Sequence, residues 1–225
     1  MTTADIHQPA QPRAHTVPAG HRIVWSLASS GARLAHWPLW LLTTTVFGVF
    51  AGAFFTSSAA FAIPHVEAVC RQAPPDVRFT SSAADVLGFL TGCGAAGREA
   101  YRFLQVADLF YPTVFGMFMA TSMALVIARL APERHALLAL AVLPLLGSVF
   151  DYLENVCAWL ALAAFPGPAP TSSLLGLASA AKNLTFWTSG VLLLGALALL
   201  VIAQVSRRAR PRANGADPDA SGASD

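Results

Sequence analysis

Residues 136–165 read ALLALAVLPLLGSVFDYLENVCAWLALAAF. A bilayer's hydrocarbon core needs about 20 apolar residues of helix to cross it, and this run exceeds that length. It nevertheless carries Asp151 and Glu154. A carboxylate at membrane depth costs about 2.5–3.5 kcal/mol on insertion scales, so it is kept where protein or water can face it. Helical positions i, i+3 and i+4 share a face. Asp151, Glu154 and Asn155 therefore point one way, with Gly147 and Ser148 a turn below. The reading is a spanning helix with one polar face turned into a bundle.

Three more apolar stretches flank it. Trp37 to Pro64 is uncharged, a second run lies between Asp108 and Arg129, and a fourth covers Asn183 to Ser206 with a helical lead from Leu174. The expected fold is an all-α membrane protein, a four-transmembrane-helix bundle with spans at about 37–63, 106–129, 136–165 and 174–206, and a structured extracytoplasmic loop at 64–105. Composition agrees, since 55% of the 225 residues are hydrophobic and 12% charged, against about 25% charged in soluble domains. Residues 1–36 and 207–225 lack an apolar pattern and are expected to be disordered. No soluble domain fits in the remainder, and nothing in the charge pattern points to nucleic acid.

Positive charge is retained on the cytoplasmic side. Arg13, Arg22 and Arg33 precede span one, Arg129 and Arg134 join spans two and three, and Arg207, Arg208, Arg210 and Arg212 follow span four. Both termini are thus expected in the cytoplasm, with the chain multi-pass in the inner (plasma) membrane. Ala60-Phe61-Ala62 also satisfies a small-x-small cleavage pattern. The preceding run is longer than the usual 7–15-residue signal core and starts near residue 37, which favours a retained span; cleavage would leave three spans and an external N-terminus.

With the 64–105 loop on the extracytoplasmic side, Cys70 and Cys93 are expected in a compartment that permits a disulfide. Closing that loop of about 24 residues is worth roughly 3 kcal/mol in the chain-entropy model; two unpaired thiols are the alternative. Ser82 and Asp85 have capping-box spacing for a short helix through Val86, Phe89 and Leu90, ended by Gly92 and Gly94. His65, Glu67 and Cys70 form an H-x-E-x-x-C string, but no second cluster completes a zinc set, so no metal is expected. No histidine lies in a span core, so paired axial haem ligands are missing and no cofactor is assigned.

Lys182 enters span four from the outer side. At 1.5 Å per residue, Lys182 to Leu174 and Glu154 to Phe165 are both roughly 12–17 Å, so lysine and carboxylates match in depth. Ser179, Lys182, Thr185, Phe186 and Ser189 share its face. On span two, Arg98, Tyr101, Arg102, Gln105, Asp108 and Tyr111 recur at steps of three or four and end at Pro112. Proline cannot donate to the carbonyl four residues back, so Asp108 keeps a free backbone acceptor and a kink is expected. Arg98, Tyr101 and Arg102 are the expected rim of the site. Gly48 and Gly52 in span one have the GxxxG spacing of close helix packing.

Gly97-x-x-x-Tyr101, Asp108-x-x-Tyr111-Pro112, Asp151-x-x-Glu154-Asn155 and the lone Lys182 resemble, in that order, motifs of a group of uncharacterised bacterial four-helix integral membrane proteins. The resemblance spans about residues 80–205 and implies the architecture without an activity. The residues themselves suit binding or translocating a small polar or amphipathic ligand, or protons, at Asp108, Tyr111, Asp151, Glu154, Asn155 and Lys182. The alternative is a lipid-directed enzyme with the carboxylates as acid and base, and the third is a structural ion-pair network in an assembly protein. Membrane lipid, a small-molecule or lipid ligand, and a second copy of the chain are the partners these readings imply.

Overall fold

The structure is a computed structural model that describes residues 19–209. Among these residues the chain is all-helical, and four helices are long and apolar enough to cross a membrane. The chain runs α1 (Ala19–Leu34), α2 (Trp37–Thr56), α3 (Ile63–Cys70), a 3-10 turn (Pro75–Val77), α4 (Ala83–Gly92), α5 (Gly94–Asp108), α6 (Tyr111–Leu130), a 3-10 stretch (His135–Val142), α7 (Leu143–Ala164) and α8 (Ser172–Ala209). The spanning candidates are α2, α5 with α6, the 3-10 stretch with α7, and α8. Residues 1–18 and the tail beyond 209 lie outside the described residues.

Several element bounds differ from expectation, each for a local reason. Helix extends back from the expected second span to Gly94, so the polar stripe from Arg98 is helical as its spacing implies. The third begins as a 3-10 stretch because Pro144, at the first turn of α7, supplies no N–H and resets the hydrogen-bond ladder there. Helix α2 stops at Thr56, where the Thr56 and Ser57 hydroxyls bond back to the Gly52 and Ala53 carbonyls and Ser57 turns extended.

The expected disorder of residues 1–36 is corrected over 19–34, which form α1. Ala28 and Gly31 are buried on its docking side and Leu34 packs against the neighbouring cluster, while the apolar Ile23, Val24, Trp25 and Leu27 stay largely exposed. Gly31 lets the helix approach the 3-10 stretch closely: a Cβ there would lie 2.0 Å from the Leu138 carbonyl oxygen. The GxxxG spacing is not used within the described part of the chain, since nothing lies within 4 Å of a Cβ built on Gly48 or Gly52. The small face of α2 is not used for packing among the described residues.

At 38 residues, α8 is about 57 Å long at 1.5 Å per residue, more than a 30 Å hydrocarbon core requires. Its first turns, with α5 and the end of α7, form a platform at one end of the bundle. The segment 63–92 folds over that platform as a cap. Cys70 and Cys93 are joined by a disulfide, and the capping box at Ser82 and Asp85 forms in full. The larger core cluster lies here, with Val66, Val86, Phe89, Leu90, Tyr101 and Leu104 from the cap and α5 meeting Cys157, Leu162 and Leu175.

Close backbone approach holds the cap on α8. Thr80 Oγ1 donates to the Gly176 carbonyl at 3.0 Å, and Asn183 Nδ2 donates to the Arg78 and Phe79 carbonyls, each at 3.3 Å. A Cβ on Gly176 would lie 2.0 Å from the Ser81 carbonyl oxygen. Backbone cannot give way as a flexible side chain can, and overpacking costs typically about 1–3 kcal/mol. Gly176→Val is expected to lower stability by about that amount and to raise hydrogen exchange in residues 75–90, read by exchange mass spectrometry; unchanged protection there would contradict this packing.

Candidate functional site

Helices α5 and α6 meet at a two-residue break, Leu109–Phe110, two residues before Pro112. Carbonyls at the break are taken up by α7. Asn155 Nδ2 donates to the Asp108 carbonyl at 3.0 Å, Tyr152 Oη to the Leu109 carbonyl at 2.9 Å, and Ser148 Oγ to the Pro112 carbonyl at 2.6 Å. Asn155, Tyr152 and Ser148 are spaced by three and four residues, so one face of α7 stitches the whole break. Gly116 makes room for that contact: a Cβ there would fall 2.0 Å from Ser148 Oγ. The free acceptor expected at Asp108 is thus present and occupied by Asn155.

That docking sets the register of Asp151 and Glu154, which are 1% and 0% exposed. Lys182 of α8 meets both. Its ammonium bonds to Glu154, lies 3.3 Å from Asp151 Oδ1, and donates to the Asp76 backbone carbonyl at 3.1 Å. Ser179, one turn earlier on α8, donates to the other Glu154 oxygen. The pairing of Lys182 with Asp151 and Glu154 is as the helical spacing led one to expect.

Asp76 is a member that the spacing did not reveal. It sits in the cap's 3-10 turn, 6% exposed, and receives Gln105 Nε2 at 2.7 Å on Oδ2. Burial holds its carboxyl above the usual range, and the Lys182 charge and the Gln105 hydrogen bond oppose that rise. The only sequence signal was Pro74-Pro75-Asp76, a turn whose reach into the bundle is a tertiary fact.

The expected rim is corrected. Arg98 donates to the Leu90 carbonyl and lies over the Phe165 ring, 4.2 Å from its centroid. Arg102 pairs with Glu99 at 3.3 Å, both well exposed. Neither arginine approaches the carboxylates in an ion pair. Tyr101 is buried, its ring edge-on to Phe89 and its hydroxyl turned toward Asp76. Tyr111 lies on the apolar side, stacked between Phe54 and Phe115 with ring centroids 5.6 and 5.5 Å away.

These residues surround a cavity of about 450 Å³, within the range of small-molecule sites. Asp76, Asp108, Asp151 and Lys182 line one part of it; Phe54, Tyr111, Phe115, Phe186 and Trp187 line another. Asp108 is only 6% exposed overall and still lines the cavity. Trp187 is 71% exposed and Phe55 44%, which places the cavity mouth on the flank of the bundle between α2 and α8. Helix α6 packs against each of those two helices, and they have no comparable contact with one another.

Scans against protein-family models, curated proteins and solved structures each find no match. The likeness to bacterial four-helix membrane proteins therefore rests on its short motifs alone. The site has to be read from its own chemistry. A polar end with several carboxylates and one lysine, continuous with an aromatic wall, can hold a molecule that is polar at one end and apolar along the rest.

Proposed function

We propose that this chain is a four-span integral membrane protein of the inner membrane, with both termini cytoplasmic, that binds a small amphipathic ligand in the cavity between α2, α6 and α8. The four long apolar helices support insertion. Orientation is supported by the basic residues Arg129, Arg134, Arg207 and Arg208 at one end and by the Cys70–Cys93 disulfide at the other, where an oxidising compartment would favour it.

The observation that carries the binding reading is the shape of the cavity: carboxylates and Lys182 at its polar end, aromatic rings along the rest, and a flank mouth facing what would be lipid. Intramembrane ionisable groups mark functional sites by default, because an ion-pair network alone repays little of its desolvation. Four spans are few for an alternating-access carrier, so binding is proposed and translocation is not.

Gly190 lines the cavity and has nothing within 4 Å of a Cβ built on it. A larger side chain can start there without a clash at its Cβ, and Gly190→Trp is expected to occupy the cavity. Native mass spectrometry of the full chain released from its own membranes is expected to show a retained low-mass amphipath on the wild type and none on Gly190→Trp. Equal adducts on both proteins, or none on a correctly folded wild type, would overturn the reading.

A further inference from the structure

The hydrogen-bond inventory around the cavity is one-sided. An ammonium has three donors and no acceptor, and Lys182 directs its donors at Glu154, Asp151 and the Asp76 carbonyl. The neighbouring amides are also committed, Gln105 donating to Asp76 and Asn155 to the Asp108 carbonyl. Ser179 donates to Glu154. What remains is mostly acceptors: Asp151 Oδ2, Gln105 Oε1 and Asn155 Oδ1 have no hydrogen-bond partner, Asp76 Oδ1 has only the Tyr101 hydroxyl turned toward it, and Asp108 lines the cavity. The polar side chains at that end are three carboxylates, the already paired lysine, and Asn183, whose amide N–H groups are engaged by the Arg78 and Phe79 carbonyls.

An anionic head would meet those carboxylates and find the Lys182 donors in use. A head group that brings several N–H donors and a positive charge would instead satisfy the buried acceptors, each of which is costly to leave unmade.

We propose that the ligand is an amphipath with a protonated amine head, seated with its nitrogen among Asp76, Asp108 and Asp151 and its apolar body along Phe115 and Trp187. This assignment rests on the cavity being a binding site at all. A free hydrophobic amine and an amine-headed lipid share this chemistry. Entry is sideways, between α2 and α8.

The test uses the full chain in phosphatidylglycerol nanodiscs, titrated with dodecylamine, dodecanol and dodecanoate and followed by tryptophan fluorescence, with Trp187→Phe to locate the signal. Dodecylamine is expected to bind saturably and at least tenfold more tightly than either of the others, and Asp108→Asn to weaken it at least tenfold. Gly190→Trp should abolish binding whether or not Asp108→Asn folds. Dodecanol or dodecanoate binding as well as the amine would overturn the amine assignment and leave the cavity reading standing. No saturable binding of any probe would overturn both. Adding phosphatidylethanolamine to the discs separates the sources: loss of dodecylamine binding supports an aminolipid ligand, and undiminished binding supports a free amine.

Discussion

Lys182→Met is expected to destabilise the purified protein more than any other single change at the site, by about 3–5 kcal/mol, the usual cost of stranding a buried charge by removing its partner. Lys182 faces Asp151 and Glu154, which are almost wholly buried, and its own side chain is 13% exposed. Methionine matches its length and removes all three donors. Asp151, Glu154 and the Asp76 carbonyl then lose their shared cation together. A compensated variant separates charge from shape: Lys182→Met with Asp151→Asn and Glu154→Gln should recover most of the loss, because replacing a whole buried ion-pair set is often close to neutral. Cys157 supplies the readout. It is free and 2% exposed, and the other two cysteines are joined, so a thiol-reactive dye reports thermal opening of the bundle. An unchanged midpoint for Lys182→Met would mean that the ion pairs contribute nothing to holding α7 on α8.

The Cys70→Ser, Cys93→Ser double variant is expected to lose about 2–4 kcal/mol, with the loss confined at first to the cap. The disulfide ties α3 to the turn before α5, and Gly97 lets it rest on α5: a Cβ there would lie 2.5 Å from Cys93 Cβ and 2.8 Å from Cys70 Sγ. Freed of the cross-link, α3 and α4 should exchange amide hydrogens faster while α6 and α7 keep their protection, since the α6–α7 stitch at Asp108 to Pro112 does not depend on the cap. Asp76 reaches the cavity only through this cap, so dodecylamine binding should weaken alongside. Ready alkylation of Cys70 and Cys93 in the native protein would contradict the bond and remove one support for the proposed external position of the cap.

Helical period made part of the site legible. Asp151, Glu154 and Asn155 fall on one face at any register, and depth counting from the chain turn brings Lys182 level with them. The acceptor that Pro112 frees at Asp108 follows from covalent chemistry, and its partner, Asn155, lies on the same face of α7 as the acids. Asp76 was out of reach because its burial depends on a turn docking across α8, which no local pattern encodes. Arg98 and Arg102 share the stripe of Tyr101 and Asp108, yet a period of 3.6 groups residues by angle and cannot say which of them bends outward to Phe165 or Glu99. Helix α1 escaped notice for another reason: its apolar residues Ile23, Val24, Trp25 and Leu27 stay largely exposed, while small Ala28 and Gly31 are among the residues that dock it.

Each functional statement depends on the long helices crossing the bilayer with the cap outside. Paired topology reporters, fused after residue 168 in the α7–α8 connection and at the C-terminus, test that most directly. Opposite sides are expected, external at 168 and cytoplasmic at the C-terminus. Reporters on the same side would contradict the four-span arrangement, and with it the outward-facing position of Asp76, Asp108, Asp151 and Lys182.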